Sequence, residues 1–242
     1  SWPWGRQTER ALCSRFHRLT FPWRGYTSFR DWCRACACRR AAPHRGVGYA
    51  MGRQPLMPEP DSFLDDPDVQ EKLRIMHAVD RSLDQITVTE LCARAGISRQ
   101  AFYRHFADKY SLHWWWPTFV HRFYLVEVGR TIDCEMGYVN HIRLLSREKD
   151  FFRIATQYTL NISTERTVMP HFRKCALLET LQDYRQVEIN DELMFCLDSW
   201  VKLETKILTE WYRLDTTPPP EEAAHMLTNV MPRMLYDALL LP

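Results

Sequence analysis

The residues with the clearest chemical potential are the polar set Ser98, Arg99, Gln100, Tyr103, Arg104, His105 and Lys109. Arg can place two donors on guanine, and Gln can pair with the adenine edge. Ser, Tyr and Lys suit phosphate oxygens, and a helix start itself favours an anion. Charge supports this set locally. Residues 86–110 hold Arg94, Arg99, Arg104 and Lys109 against Glu90 and Asp108, a net +2. The flanks, residues 51–85 and 111–242, are each −4, so this is the only net basic stretch after residue 50. An ordinary solvated helix face carries charge runs too, so the elements that present these residues decide the reading.

Those elements read as helices. Val69, Leu73, Met76 and Leu83 step at helical spacing and predict an amphipathic helix from about 67 to 84. Val88, Leu91, Cys92 and Ala95 predict a second, shorter one, with Thr87 and Glu90 as a capping box and Gly96 as its stop. Ser98 is the expected N-cap of a third helix, whose inner side carries Ala101, Phe102 and Phe106. Asp108 is expected to cap a fourth near Lys109. A short helix, a glycine turn and a second short helix form a helix-turn-helix, with small residues Ala93, Ala95 and Ala101 at the crossing. Its outer polar face would enter the major groove.

The run ITVTELCARAGISRQAFYRHFADKYSL, residues 86–112, resembles the DNA-binding region of the TetR family of bacterial transcriptional regulators. The matching features are the Thr-Val-Thr entry, the Ala-Gly-Ile-Ser turn, the Phe-Tyr-Arg-His-Phe helix and the Asp-Lys-Tyr-x-Leu exit. With the first helix, the resemblance covers roughly 45 residues. It implies phosphate contacts at Tyr103 and Lys109. It also implies that Ser98, Arg99, Gln100 and Arg104 face bases or backbone. Thr87 and His105 complete the candidate DNA-binding set. The run His113-Trp114-Trp115-Trp116-Pro117 departs from the family pattern, and Pro117 is expected to kink or restart its helix.

Residues 111–242 predict further helices over about 110–130, 133–146, 148–160, 170–187, 190–214 and 220–240. Pro170 is expected to start its helix, the Pro218–Pro220 run to break the chain, and Pro232 to bend the last helix. The 190–214 helix carries Leu193, Leu197, Trp200, Leu203 (or Glu204), Ile207 and Trp211 on its apolar side. The last carries Ala224, Leu227, Met231, Met234, Leu235 and Leu239. Two such helices could build an intermolecular four-helix bundle, the arrangement the resemblance implies, or an intramolecular core. Leu197, Trp200, Ile207, Trp211, Leu227, Met231, Met234 and Leu235 are the dimer-interface candidates. Between them and the DNA module a sensor cavity would be lined by Trp115, Phe119, Phe123, Met136, His141, Phe152, Tyr158 and Met169. An aromatic or Met at helical spacing is more often plain core than a ligand contact, and that reading stands beside this one for each.

The first fifty residues differ from the rest. Ten Arg, no Lys and two acids give them +8, whereas the remaining chain is −6; the +2 of the 242 residues averages the two. They hold four of nine Trp and four of eight Cys and show no sustained period. A basic arm for nucleic acid or an anionic surface, a targeting peptide, and translated upstream sequence ahead of a start at Met51 or Met57 all compete; the last is the expectation. Cys33, Cys36, Cys38 and His44 have partial zinc-ligand spacing but no second pair, so no metal is expected. Cys92, Cys134, Cys175 and Cys196 sit alone in helical patterns, as buried small side chains in a reducing compartment do.

At 45% hydrophobic and 26% charged the chain is globular in composition, and its apolar runs are too short to span a membrane. There is no Gly-rich phosphate loop after a strand, nucleophile elbow or zinc-protease His pair, so no enzyme and no cofactor are expected. Asn161-Ile162-Ser163 has a glycosylation pattern that a cytoplasmic protein would not use. The expectation is an all-α chain: a leader over 1–64, a three-helix helix-turn-helix DNA-binding domain over 65–112, and a helical ligand-sensing and dimerisation domain over 113–242. Functionally it is expected to be a cytoplasmic, homodimeric repressor. Its partners would be a palindromic double-stranded operator and a small-molecule effector. A protein-interaction adaptor with only non-specific DNA binding is the alternative.

Overall fold

The computed structural model describes residues 62–155, 161–211 and 218–240, with residues 62 and 161–168 in backbone only. The body of the leader, the Cys33–His44 set and Tyr158 lie outside these. Among the described residues there are ten α-helices and no strand; one isolated bridge joins Val128 and Ile132. The fold is all-α. The described residues divide into two compact units, one within Ser1–Ile75 and Val88–Ser111, the other within Met76–Thr87 and Leu112–Pro242.

Helix α1, Pro67–His77, opens on a proline, which has no N–H to leave unpaired in the first turn. It stops at His77, short of the expected 84. Val69, Leu73, Met76 and Leu83 are all buried, as their spacing predicts. Residues beyond His77 nevertheless form turns, with Val79 N–H bonded to the Met76 carbonyl (3.1 Å) and Gln85 N–H to that of Ser82 (2.9 Å). Ser82 Oγ accepts from Asp84 N–H (3.4 Å), a local bond that competes with a helical ladder.

Helix α2, Val88–Ala95, ends at Gly96, whose φ of +66° is the left-handed stop that glycine takes without strain. Helix α3, Arg99–His105, packs on α2. Asp108 Oδ1 accepts from the backbone N–H (2.8 Å) and hydroxyl (2.9 Å) of Ser111. The next helix, α4, therefore begins at Ser111 and runs to Phe123. It passes through Pro117 without the expected restart. Thr118 Oγ1 donates to the Trp114 and Trp115 carbonyls there, and Trp115 and Trp116 are buried.

Helices α5 (Cys134–Ser146), α6 (Lys149–Ala155), α7 (Asn161–Glu179), α8 (Asp191–Trp211), α9 (Pro220–Val230) and α10 (Arg233–Leu239) complete the larger unit. Asp133 caps α5 by accepting from Met136 N–H at 2.7 Å. Pro170 does not start α7 but lies inside it, and a π-helical turn, Thr180–Tyr184, follows. Buried Phe172, Arg173, Ala176 and Leu177 on the same helix supply packing that offsets the hydrogen bond an interior proline forfeits. At Pro232 the expected bend is a full break between α9 and α10. The core forms where α5 packs on α9, α7 on α8, and α10 on α8 and the π turn. Glu204, not Leu203, points inward from α8; Leu203 is 41% exposed.

Candidate nucleic-acid interface

The geometry of α3 follows from its ends and its buried side. Ser98 has extended backbone, and its Oγ accepts from Ala101 N–H at 3.0 Å. Phe106 closes the helix by donating its N–H to the Phe102 carbonyl (3.0 Å). Phe102 and Phe106 are buried, with ring centroids 5.7 Å apart, and so fix which side turns outward. That outward side presents Ser98, Arg99, Gln100 and Arg104, all exposed. Tyr103 is half-buried, edge-on to Phe102, with the Arg99 guanidinium 6.0 Å from its ring centre. Lys109 Nζ lies 5.1 Å from the Tyr110 ring centre. Thr87 is exposed and belongs to the larger unit.

His105 departs from the expected face. Its side chain is only 9% exposed and turns onto α1, with Nδ1 3.2 Å from Asp68 Oδ1 and Nε2 3.0 Å from Glu71 Oε2. The second approach lacks hydrogen-bond alignment and is a charge contact when the ring is protonated. These two carboxylates of α1 hold His105 away from the exposed side of α3. Glu71 Oε1 also lies 3.5 Å from Arg104 Nη2. Sequence reasoning did not single out Asp68 and Glu71. Their three-residue spacing on one face of α1 was the available signal. Cys92, beside this motif, is buried, and burial pushes its thiol up, partly offset by the Arg99 charge.

The sensor candidates scatter. Trp115, His141 and Phe152 are buried, whereas Phe119, Phe123 and Met169 are half-buried. Met136 is 48% exposed, in the first turn of α5, and does not face an interior. Trp115, Phe119 and Phe123 follow one another along α4 at ring spacings of 5.6 and 5.0 Å. Of the dimer candidates, Leu197, Trp200, Trp211, Leu227, Met231 and Leu235 are buried within the single chain. Ile207 is half-buried and Met234 is 36% exposed. A groove of about 200 Å³ is lined by Ile142, Ile207, Leu208, Trp211, Ala223, Met226, Leu227 and Val230, and includes none of the sensor candidates.

A buried polar cluster went unpredicted. Arg173 Nε donates to Glu204 Oε1 (3.1 Å) and Oε2 (2.9 Å), and Arg173 Nη1 donates to the Leu125 carbonyl. Tyr138 donates its hydroxyl to Glu204 Oε1. Burial, with the Glu204 carboxylate beside it, pushes the Tyr138 phenol well above its ordinary range. His121 and His141 stand 6.0 Å apart, ring planes at 87°. Burial, then the Arg173 charge, holds His121 well below the usual imidazole range and His141 at about 3.

An exposed polar row on a helix anchored by two phenylalanines, after a glycine turn, makes this segment a helix-turn-helix. Residues 78–113 match the family described as bacterial regulatory proteins, tetR family. The helix-turn-helix segment of the chain is thus similar to that family, over 36 of the 242 residues. No curated protein matches the sequence. Among solved structures, the chain is similar to the TetR family repressor AlkX from Dietzia sp. strain DQ12-45-1b, described as implicated in biodegradation of n-alkanes. That similarity has 14% identity and a TM-score of 0.44, over 69% of this chain and 98% of that one. No helix among the described residues is long and apolar enough to cross a membrane.

Proposed function

We propose that the chain is a homodimeric, ligand-responsive repressor that acts in the cytoplasm on a palindromic operator. In this reading residues 65–112 bind DNA, and residues 113–242 hold the effector and the partner protomer. The observation that carries it is the exposed row Ser98, Arg99, Gln100 and Arg104 above buried Phe102 and Phe106. Two such helices related by a two-fold axis would read half-sites about 34 Å apart, whereas one alone binds weakly. The partner face is supported by exposed apolar Leu203, Met226, Val230 and Met234 on α8 to α10, more than by the candidates already buried within the protomer. An effector acts only through different affinities for the two spacings of the reading heads.

The test is binding of the full chain to a selected operator and to scrambled DNA across a salt series. Lys109→Ala should weaken both and lower the salt slope by about one. Arg99→Ala and Gln100→Ala should change sequence preference instead. If none of the three alters binding, α3 is not the reading helix. The Glu71 contact to Arg104 and the −6 charge of residues 51–242 favour the adaptor alternative, which predicts equal, weak affinity for both DNAs.

A further inference from the structure

Three buried side chains of the larger unit keep hydrogen-bonding atoms that nothing among the described residues uses. Arg173 is 1% exposed and its Nη2 has no partner. His121 and His141 are each 3% exposed, and His121 Nε2 and His141 Nδ1 have none. Buried polar atoms are almost always satisfied, by protein, water or ligand, and here three such atoms belong to neighbouring side chains of one cluster.

The chemistry of the missing group follows from what the cluster has left to offer. Glu204 cancels the Arg173 charge through two contacts from Nε, and burial keeps both imidazoles neutral. An ionised ligand would therefore lose its hydration without gaining a counter-charge. His141 already bonds the Val120 backbone through its ring. Nδ1 is the nitrogen without a partner, and in the tautomer protonated on Nε2 it is an acceptor. Arg173 Nη2 is a donor only. The surroundings are aromatic: Phe172 lies 4.7 Å from the His121 ring, and Tyr138 is fully buried. A hydroxyl group can accept from a guanidinium and donate to an imidazole at once, and on a mainly apolar molecule it suits these aromatic surroundings.

We propose that His121, His141 and Arg173 form the polar end of an effector site for a neutral, mainly apolar molecule bearing a hydroxyl group. The inference rests on reading this unit as the sensor. Arg173 fixes the hydroxyl oxygen, His141 takes its proton as a hydrogen bond, and His121 flanks the pair.

Phenol is the probe and benzene its hydroxyl-free control, each titrated calorimetrically into the full chain without DNA. Phenol should bind at least about tenfold more tightly, the value of one buried hydrogen bond. His141→Leu should remove that advantage and leave benzene binding in place. In the unsubstituted protein, phenol should also shift the His141 ring nitrogen resonances, which keeps the test open if the variant misfolds. Equal affinities, no binding, or binding that leaves the His141 resonances unmoved would each overturn the proposal and make the cluster a hydrated interior. Because no DNA is present, these failures are separate from a failure to bind an operator.

Discussion

Arg104 and Glu71 form a pair across the helix-turn-helix: the Arg104 Nη2 to Glu71 Oε1 separation is 3.5 Å, and the arginine side chain is still 64% exposed. In the proposed DNA-binding role, a carboxylate of α1 would thus compete with phosphate for a guanidinium of α3. Such exposed pairs contribute only about 0.2–1 kcal/mol. Glu71→Gln should therefore tighten binding to any duplex by up to about fivefold at low salt, with the gain fading as salt screens it. Fluorescence anisotropy at two ionic strengths measures this, and weaker binding by the variant would show that the contact positions Arg104 for DNA.

Glu204→Gln should be far more costly. Arg173 and Glu204 side chains are each 2% exposed, so removing the carboxylate leaves a buried cation uncompensated, a loss of about 3–5 kcal/mol. Replacing both partners, Arg173→Met with Glu204→Leu, should recover most of that loss. Denaturant unfolding of the three proteins separates the cases.

Acid should destabilise the larger unit. Unfolded imidazoles titrate near 6.5, whereas burial holds His141 at about 3 and His121 well below its ordinary value. The unfolded chain therefore binds protons that the folded chain refuses. The contribution of these two groups is complete above about pH 6.5 and falls as pH drops below it, at up to about 1.4 kcal/mol per unit for each; that of His141 is lost by about pH 3. His77 acts in the opposite sense, because its 2.7 Å hydrogen bond to Glu148 raises it. Its contribution is lost as pH rises, and exposure keeps it small. The melting temperature should fall from pH 7 to pH 5, and His141→Gln should flatten the fall.

Two glycines should respond differently. A Cβ on Gly137 of α5 would sit 2.3 Å from Val128 Cγ2, a stiff side chain, so Gly137→Ala should cost about 1–3 kcal/mol. A Cβ on Gly96 meets nothing within 4 Å, and only its positive φ resists substitution. Gly96→Asn should therefore be nearly neutral, because Asn tolerates that region, and Gly96→Val should cost more. Thermal unfolding of the three variants tests the order.

What was legible in the sequence depended on the range of the interaction. The Gly96 stop, the Ser98 cap and the inward Phe102 and Phe106 are set within four residues, and reading them needs nothing distant. The end of α1 was misread because Leu83 remains buried at helical spacing while the backbone has already turned. His105 falls on the outer face by periodicity, and only the carboxylates of α1 turn it inward. The α8 register allowed either Leu203 or Glu204 inside. Arg173, thirty-one positions away, decides for the glutamate, and no local pattern carries that pairing.

The same guanidinium has a mechanical consequence. Through Nη1 it holds the Leu125 carbonyl, just past the end of α4, while Nε grips Glu204 of α8, which also accepts from Tyr138 of α5. One side chain on α7 is thereby a tie-rod fixed at both ends. A displacement of α7 or α8 is coupled, through one side chain, to the turn that follows α4.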